Sequence, residues 1–63
     1  MQPHQQRVVD EKSELAEKLT KLKAFIGGVI YESLPSEERA RLVLQANAMK
    51  DYLDILNERI LAF

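Results

Sequence analysis

Apolar residues recur along the chain in two separate series, each stepping alternately by three and four residues. This alternation is typical of an α-helix that buries one narrow stripe against another helix. Only Lys12 interrupts the first series, and nothing interrupts the second. The first series is Val8, Leu15, Leu19, Leu22, Ile26 and Val29, and the second is Leu42, Ala46, Met49, Leu53, Leu56, Ile60 and Phe63.

A group of helix-breaking residues separates the two series. Gly27 and Gly28 weaken or end the first helix, and Pro35 cannot lie inside the second. Ser36 is a favourable N-cap residue and is followed by two glutamates. The pattern therefore predicts a first helix over about 3–27, a connector over 28–35 and a second helix over about 36–62. Residues 29–34 are too apolar for a free loop, so we expect a short helical turn covering the closed end.

A connector this short makes the two helices antiparallel. The two series then pair in consecutive layers without a mismatch, because their steps agree in reverse order. The predicted fold class is all-α: an antiparallel two-helix hairpin, similar to a coiled coil, with a short helical connector and a single domain over 1–63. The layers are Ile26 with Leu42, Leu22 with Ala46, Leu19 with Met49, Leu15 with Leu53, Lys12 with Leu56, and Val8 with Ile60.

A further set of apolar residues lies outside these layers. We call Leu44, Ala48, Tyr52 and Ile55 of the second helix the apolar stripe, and Phe25 extends it on the first helix. Because a two-helix hairpin has one internal interface, it cannot bury this stripe alone. Either the connector covers part of the stripe and the rest is exposed, or the stripe is a self-association surface. We favour the second alternative and predict a homo-oligomer.

Composition supports the same expectation. The chain has 63 residues and no cysteine. A chain of this length buries only about 60% of its unfolded surface, so disulfides, a metal or oligomerisation usually stabilise it. Without cysteine, and with His4 as the only histidine, disulfides and zinc are excluded and oligomerisation remains.

Charge and hydropathy narrow the class of protein further. The formal net charge is −1, which does not suit a general nucleic-acid binder. No segment is long and apolar enough to span a membrane, and the N-terminus has no apolar signal core. We therefore expect a soluble cytoplasmic protein. No catalytic constellation, phosphate loop or metal-ligand spacing is present, which predicts a protein that is not an enzyme and needs no cofactor.

Most charged residues form pairs four residues apart on solvated helix faces, namely Glu14–Lys18, Glu17–Lys21, Glu37–Arg41 and Lys50–Asp54. Lys18 and Lys21 are either part of a solvated face or an anion contact. At the open end, Arg59 is expected within reach of Glu11, and Arg7 near Glu58. These charges either form ion pairs that fix the register or present two guanidinium groups to an anionic ligand.

Tyr52 is either an interface residue or a stacking platform. The candidate ligand-binding residues are accordingly Arg7, Lys18, Lys21, Tyr52 and Arg59, and the candidate interface residues are Phe25, Leu44, Ala48, Tyr52 and Ile55.

Four short patterns together resemble a family of very small phage and prophage proteins known as crAss-like-phage-related proteins. The patterns are Arg7-x3-Glu11-x3-Leu15, Lys21-Leu22-x2-Phe25-Ile26, Leu34-Pro35, and Gln45-x3-Met49-x2-Tyr52-x3-Leu56-x2-Arg59-Ile60. The resemblance covers nearly the whole chain. The residues that carry it are mostly helical core positions, so they specify the hairpin fold better than they specify an activity. It implies a bacteriophage accessory protein, acting in the host cytoplasm.

In size and architecture only, the chain is also similar to helical-hairpin phage proteins that oligomerise and trap the cyclic nucleotide messengers of bacterial defence. That similarity implies an oligomer that counteracts defence by sequestering a nucleotide second messenger, such as a cyclic nucleotide or an ADP-ribose derivative. Two alternatives stay open. One is a protein-binding module that docks on a host protein and inhibits it. The other is a structural or assembly factor of the virion.

Overall fold

The computed structural model describes all residues from Met1 to Phe63 as three helices. Helix α1 spans Pro3–Ile26, α2 spans Val29–Glu32 and α3 spans Ser36–Leu61. The two long helices pack against each other in an elongated rod, with principal extents of 46 × 14 × 13 Å. The prediction of an all-α helical hairpin is confirmed, and the helix bounds lie within one residue of those expected from the sequence.

The interface between α1 and α3 is built from the two predicted series, which we call the seam. Leu56 is completely buried and packs with Val8 and Leu15. Partly buried Met49, Leu53 and Ile60 of α3 extend the same cluster. These contacts are those of the antiparallel register inferred from the spacing, in which Leu56 lies in the layer between Val8 and Leu15.

The N-termini of α1 and α3 are capped by groups other than the serine that the sequence predicts for α3. The α1 N-terminus is closed by the Gln5 side chain, whose Oε1 accepts a 2.8 Å hydrogen bond from the Gln2 backbone N–H. Ser36 is not the N-cap of α3. Pro35 takes that place in an extended conformation, and its carbonyl accepts a 3.0 Å hydrogen bond from the Arg39 N–H. The helix therefore begins one residue earlier than a serine cap would allow.

The connector covers the closed end only in part. Tyr31 and Leu34 are partly buried, and the Tyr31 hydroxyl donates a 3.3 Å hydrogen bond to the backbone carbonyl of Arg39. Val29 and Ile30 are exposed. The expectation that Val29 extends the seam is therefore wrong, because the chain leaves α1 after Ile26 and turns into α2 before reaching the next layer.

The turn after α1 uses glycine in an ordinary conformation. Gly27 has φ −80° and ψ −1°, which alanine adopts without strain. An added Cβ would lie 3.6 Å from the Lys23 carbonyl oxygen, an ordinary contact.

We expect Gly27→Ala to raise the free energy of unfolding by about 0.4–1 kcal/mol, because it restricts the unfolded chain. Urea denaturation followed by circular dichroism measures this. A lower midpoint would show that the turn needs glycine's wider freedom.

The core of a single chain is very small. Only four of the 63 residues are buried, namely Val8, Leu15, Leu19 and Leu56. The accessible surface is 4791 Å², whereas a compact monomer of this mass exposes about 4,200 Å². The hairpin is therefore an open structure that leaves apolar surface in water. None of its helices has the combination of length and apolarity that crossing a bilayer requires.

Candidate ligand-binding and assembly face

The apolar stripe is exposed along α3. Leu44 is 66% exposed, Ile55 54% and Tyr52 43%, and Ala48 is also exposed. Phe25 of α1 is 37% exposed. The connector does not cover these side chains, so that part of the first alternative is wrong. In a single chain the stripe lies in water over about three turns of helix.

The spacing of residues places the stripe and the candidate cations on one side of the hairpin. Lys18, Tyr52 and Arg59 each directly precede a seam residue, as does Phe25. In an antiparallel pair, the positions that precede the seam on both helices lie on the same flank. The steps from Arg7 through Lys18 to Lys21 keep to this flank of α1. We call this surface the stripe face. Two carboxylates, Glu11 and Glu14, lie on the same face because each also directly precedes a seam position. The candidate residues on the stripe face are Arg7, Lys18, Lys21, Phe25, Leu44, Ala48, Tyr52, Ile55 and Arg59.

The layers of the seam fix which of these residues are neighbours. In the antiparallel register, Leu19 is level with Met49 and Leu15 is level with Leu53. The packing of Leu15 in one cluster with Met49 and Leu53 agrees with this register. Lys18 and Tyr52 therefore lie within about one helical turn of each other on the stripe face. Arg7 and Arg59 lie together at the open end, since Arg7 directly precedes Val8, which is paired with Ile60. Lys21 lies nearer the closed end, beside Phe25.

Ion pairs occur only within single helices. Lys21 Nζ lies 3.1 Å from Glu17 Oε1, and Lys50 Nζ lies 3.2 Å from Asp54 Oδ2. These two predicted pairs are confirmed. Arg41 Nε pairs at 2.9 Å with Oε1 of Glu38 and not with Glu37. Glu14 and Lys18 form no ion pair.

The expected ion pairs between the helices are absent. Arg59 forms none with Glu11, and Arg7 forms none with Glu58. Exposed charges gain little from pairing across a gap in water, where side-chain entropy opposes the contact. The register is therefore fixed by the seam and not by charge. The guanidinium groups of Arg7 and Arg59 and the ammonium group of Lys18 form no ion pair within the chain, so they remain available to an external anion.

Any ligand site on this chain lies on its outer surface. Two helices have one interface, and the seam fills it with packed side chains. No cavity is present in the hairpin. A ligand held only by the stripe face would keep one side in water, and a second molecule placed against that face would enclose it.

Arg39 is a buried polar feature that the sequence interpretation missed. The residue is partly buried, and its Nε atom is buried without a hydrogen-bond partner. Arg39 lies three positions before Leu42, the first residue of the second series, so the 3-4 alternation continued backwards falls on this arginine. That spacing was the available signal. It places Arg39 at the closed end beside the connector, away from the stripe face.

Comparison with known proteins gives one match. A protein-family model described as Sequestin matches residues 2–62. No curated protein and no solved structure matches the chain. The matched range takes in both long helices, the connector and every residue of the stripe face. The family's name denotes sequestration, which suggests a protein that binds and retains another molecule. The chain belongs to the Sequestin family.

Proposed function

We propose that this protein is an oligomeric binding protein that sequesters a nucleotide second messenger and so counteracts bacterial defence. The observation that carries the proposal is the stripe face, where three cations that form no ion pair, Arg7, Lys18 and Arg59, lie beside an exposed tyrosine and an apolar surface. Family membership supports retention of a bound molecule. The role assigned is binding without catalysis.

The chemistry of the stripe face suits a nucleotide. Guanidinium groups recognise phosphate oxygens in a planar, bidentate manner, and lysine supplies a point charge. Tyr52 offers an aromatic ring for a base to stack on, a contact that contributes about 1–3 kcal/mol per base in nucleic-acid complexes. Lys18 lies within a helical turn of this ring. A base on Tyr52 and a phosphate near Lys18 can therefore be bound together.

A two-fold oligomer would supply pairs of cations to a ligand that carries two phosphates. A cyclic dinucleotide carries two phosphates, and a two-fold assembly presents two copies of Arg7 and Arg59. The two-fold symmetry thus places equivalent guanidinium groups where the two phosphates of such a ligand can bind. The resemblance to small phage proteins supports an origin in a bacteriophage and a site of action in the host cytoplasm.

Isothermal titration calorimetry against a panel of cyclic nucleotides and ADP-ribose derivatives tests the proposal. We expect measurable heat with at least one ligand. For that ligand, Lys18→Ala should weaken binding about tenfold, because one charged contact to phosphate contributes about 1.5 kcal/mol or more.

The matched control is Lys23→Ala. Lys23 is exposed on the same helix and carries the same charge, but it lies on the opposite flank of the hairpin. Its removal should leave the affinity unchanged. No heat with any ligand of the panel contradicts the proposal, and equal losses for both variants show that the lysines act only through net charge.

A protein-binding module that inhibits a host protein is the second candidate. The spacing of Leu44, Ala48, Tyr52 and Ile55 favours it, because anchors at this helical spacing enter apolar grooves of partner proteins. Light scattering separates the two candidates. A stable closed oligomer, with the stripe covered, favours the ligand-binding role. A monomer that forms a stoichiometric complex with one host protein favours the inhibitor.

A further inference from the structure

Two aromatic side chains lie on the stripe face, one on each long helix. Phe25 of α1 and Tyr52 of α3 each directly precede a seam residue, which places them on the same flank of the hairpin. Phe25 is 37% exposed and Tyr52 is 43% exposed, so neither ring is enclosed by the chain. The other two aromatic side chains, Tyr31 and Phe63, belong to the connector and to the open end.

The antiparallel packing directs these two rings towards each other. Side chains on an α-helix lean towards its N-terminus. Phe25 therefore leans towards the open end, where α1 begins, and Tyr52 leans towards the closed end, where α3 begins. In the register of the seam, Tyr52 is level with Ala16, nine residues before Phe25. The two Cα atoms are about 13 Å apart along the axis, and the lean of both side chains shortens the distance between the rings.

The space between the two rings, which we call the aromatic gap, is lined by small or displaced side chains. Ala48 lies between the rings on α3 and contributes only a methyl group. Beneath it is the seam layer of Leu22 and Ala46, in which neither residue is fully buried. Lys21 lies at this level on α1, but its ammonium group is 3.1 Å from Glu17 on the outer side of that helix. The gap is therefore an open surface feature with an apolar floor.

A side-chain amide with unused hydrogen-bonding capacity adjoins the aromatic gap. The Nε2 atom of Gln45 lies 3.9 Å from the sulfur of Met49, which is between Gln45 and Tyr52 along α3. The amide is thus directed along the helix to the side of the gap. A thioether is a weak acceptor, and Gln45 forms no other side-chain hydrogen bond. Its amide oxygen and its N–H groups remain available to a polar ligand.

We propose that Phe25 and Tyr52 form a clamp that binds one planar nucleobase between their rings. The base lies over Ala48, and the Gln45 amide hydrogen-bonds its edge. A nucleobase has flat faces that stack on aromatic rings and an edge of donors and acceptors, so it suits this set of side chains. The proposal deepens the proposed function by naming the part of the ligand that the rings bind. It rests on that function only in placing the phosphate beside Lys18.

The position of Lys18 agrees with a nucleotide bound in this way. Lys18 is on the same flank as the clamp, within about one helical turn of Tyr52. Like every side chain of α1, it leans towards the open end, on the side of Tyr52 away from Phe25. A phosphate attached to the clamped nucleoside therefore meets the free ammonium group of Lys18 beside the Tyr52 ring.

Proton NMR of the wild-type protein with adenosine 5′-monophosphate (AMP) tests the clamp. The chain has two phenylalanines, two tyrosines and no tryptophan, so its ring resonances are few. A base between the rings should shift the resonances of both Phe25 and Tyr52 upfield, with one common dissociation constant. Tyr31 and Phe63 are internal controls and should not shift. Ribose 5-phosphate carries the same phosphate without a base and should shift neither ring of the clamp upfield.

Filling the aromatic gap provides the decisive variant. Ala48→Leu places a branched side chain between the rings, and we expect the dissociation constant for AMP to rise at least about fivefold, because a stacking contact is lost. Ala40→Leu is the matched control. Ala40 is also exposed on α3, but it directly follows Arg39, which continues the seam, and so lies on the opposite flank. This control should leave the dissociation constant unchanged.

Phe25→Leu is a second variant that keeps an apolar side chain and removes the ring. It should weaken AMP binding to a similar degree, and circular dichroism verifies that each variant is folded. An upfield shift of Tyr52 alone would reduce the site to a single stacking surface and overturn the clamp. Equal affinities of Ala48→Leu and Ala40→Leu for AMP would also overturn it, as would the absence of any shift.

The results also separate the clamp from the proposed function. Shifts of both rings with AMP, together with no heat from any cyclic nucleotide or ADP-ribose derivative, support the clamp and contradict the messenger. Binding of a cyclic nucleotide that is unaffected by Phe25→Leu supports the messenger and overturns the clamp.

Discussion

Leu56→Ala is expected to remove most of the stability of the folded chain. Leu56 is the only side chain that is completely buried, and it packs with Val8 and Leu15 at the centre of the seam. Truncating a buried leucine costs about 2–5 kcal/mol, from lost burial and from the cavity left behind. A chain of 63 residues has a total stability of only about 3–9 kcal/mol. Urea denaturation followed by circular dichroism should show a much lower midpoint or a largely unfolded variant.

Leu44→Ala is the matched control for this prediction. The two variants make the same chemical change on the same helix, but Leu44 is 66% exposed. Measured at concentrations where the protein is monomeric, Leu44→Ala should change the free energy of unfolding by at most about 0.5 kcal/mol. Equal losses for the two variants would mean that the core does not lie on the seam.

The seam could be predicted from the sequence because it follows from one rule applied repeatedly. Each apolar residue on the seam repeats the same alternation, and the reversed series of the two helices agree layer by layer. A single polar residue such as Lys12 does not disturb this agreement, because the apolar layers on either side of it determine the register. The connector could be predicted as well, because Pro35 cannot lie inside a helix and two successive glycines disfavour its continuation.

Features decided by single contacts were less predictable. Serine is a common N-cap, yet the Pro35 carbonyl already accepts the first helical hydrogen bond, so Ser36 begins the helix. The Arg59–Glu11 ion pair was plausible from proximity, but proximity does not overcome the entropy of two exposed side chains. Val29 fits the period of α1 and is exposed because the turn at Gly27 ends the helix.

The candidate site could be predicted in part. Which residues share a face could be predicted, because helical spacing and the antiparallel register determine it. The role of each residue could not, because Tyr52 and Lys18 have the same spacing whether they bind a nucleotide or line an interface. The structure adds that the stripe is uncovered and that Lys18 and Arg59 form no ion pairs, and both observations favour a surface that acts on another molecule.

Ile55→Glu is expected to abolish self-association and, with it, tight ligand binding. Ile55 is 54% exposed at the middle of the stripe face. In the proposed oligomer this side chain is buried, and burying a carboxylate without a partner costs several kcal/mol. Since every 1.4 kcal/mol is a factor of ten, the association constant should fall by at least about a hundredfold. Light scattering should then give the molar mass of a single chain.

The control variant is Val43→Glu. Val43 is 40% exposed on the same helix, but it directly follows a seam residue and so lies on the opposite flank. It introduces the same charge at similar exposure and should leave the molar mass unchanged. The hairpin should stay folded in both variants, because neither position is buried within one chain. A molar mass unaffected by Ile55→Glu but reduced by Val43→Glu would place the assembly surface on the flank opposite the stripe face, and the cations of the stripe face would then lie away from any subunit interface.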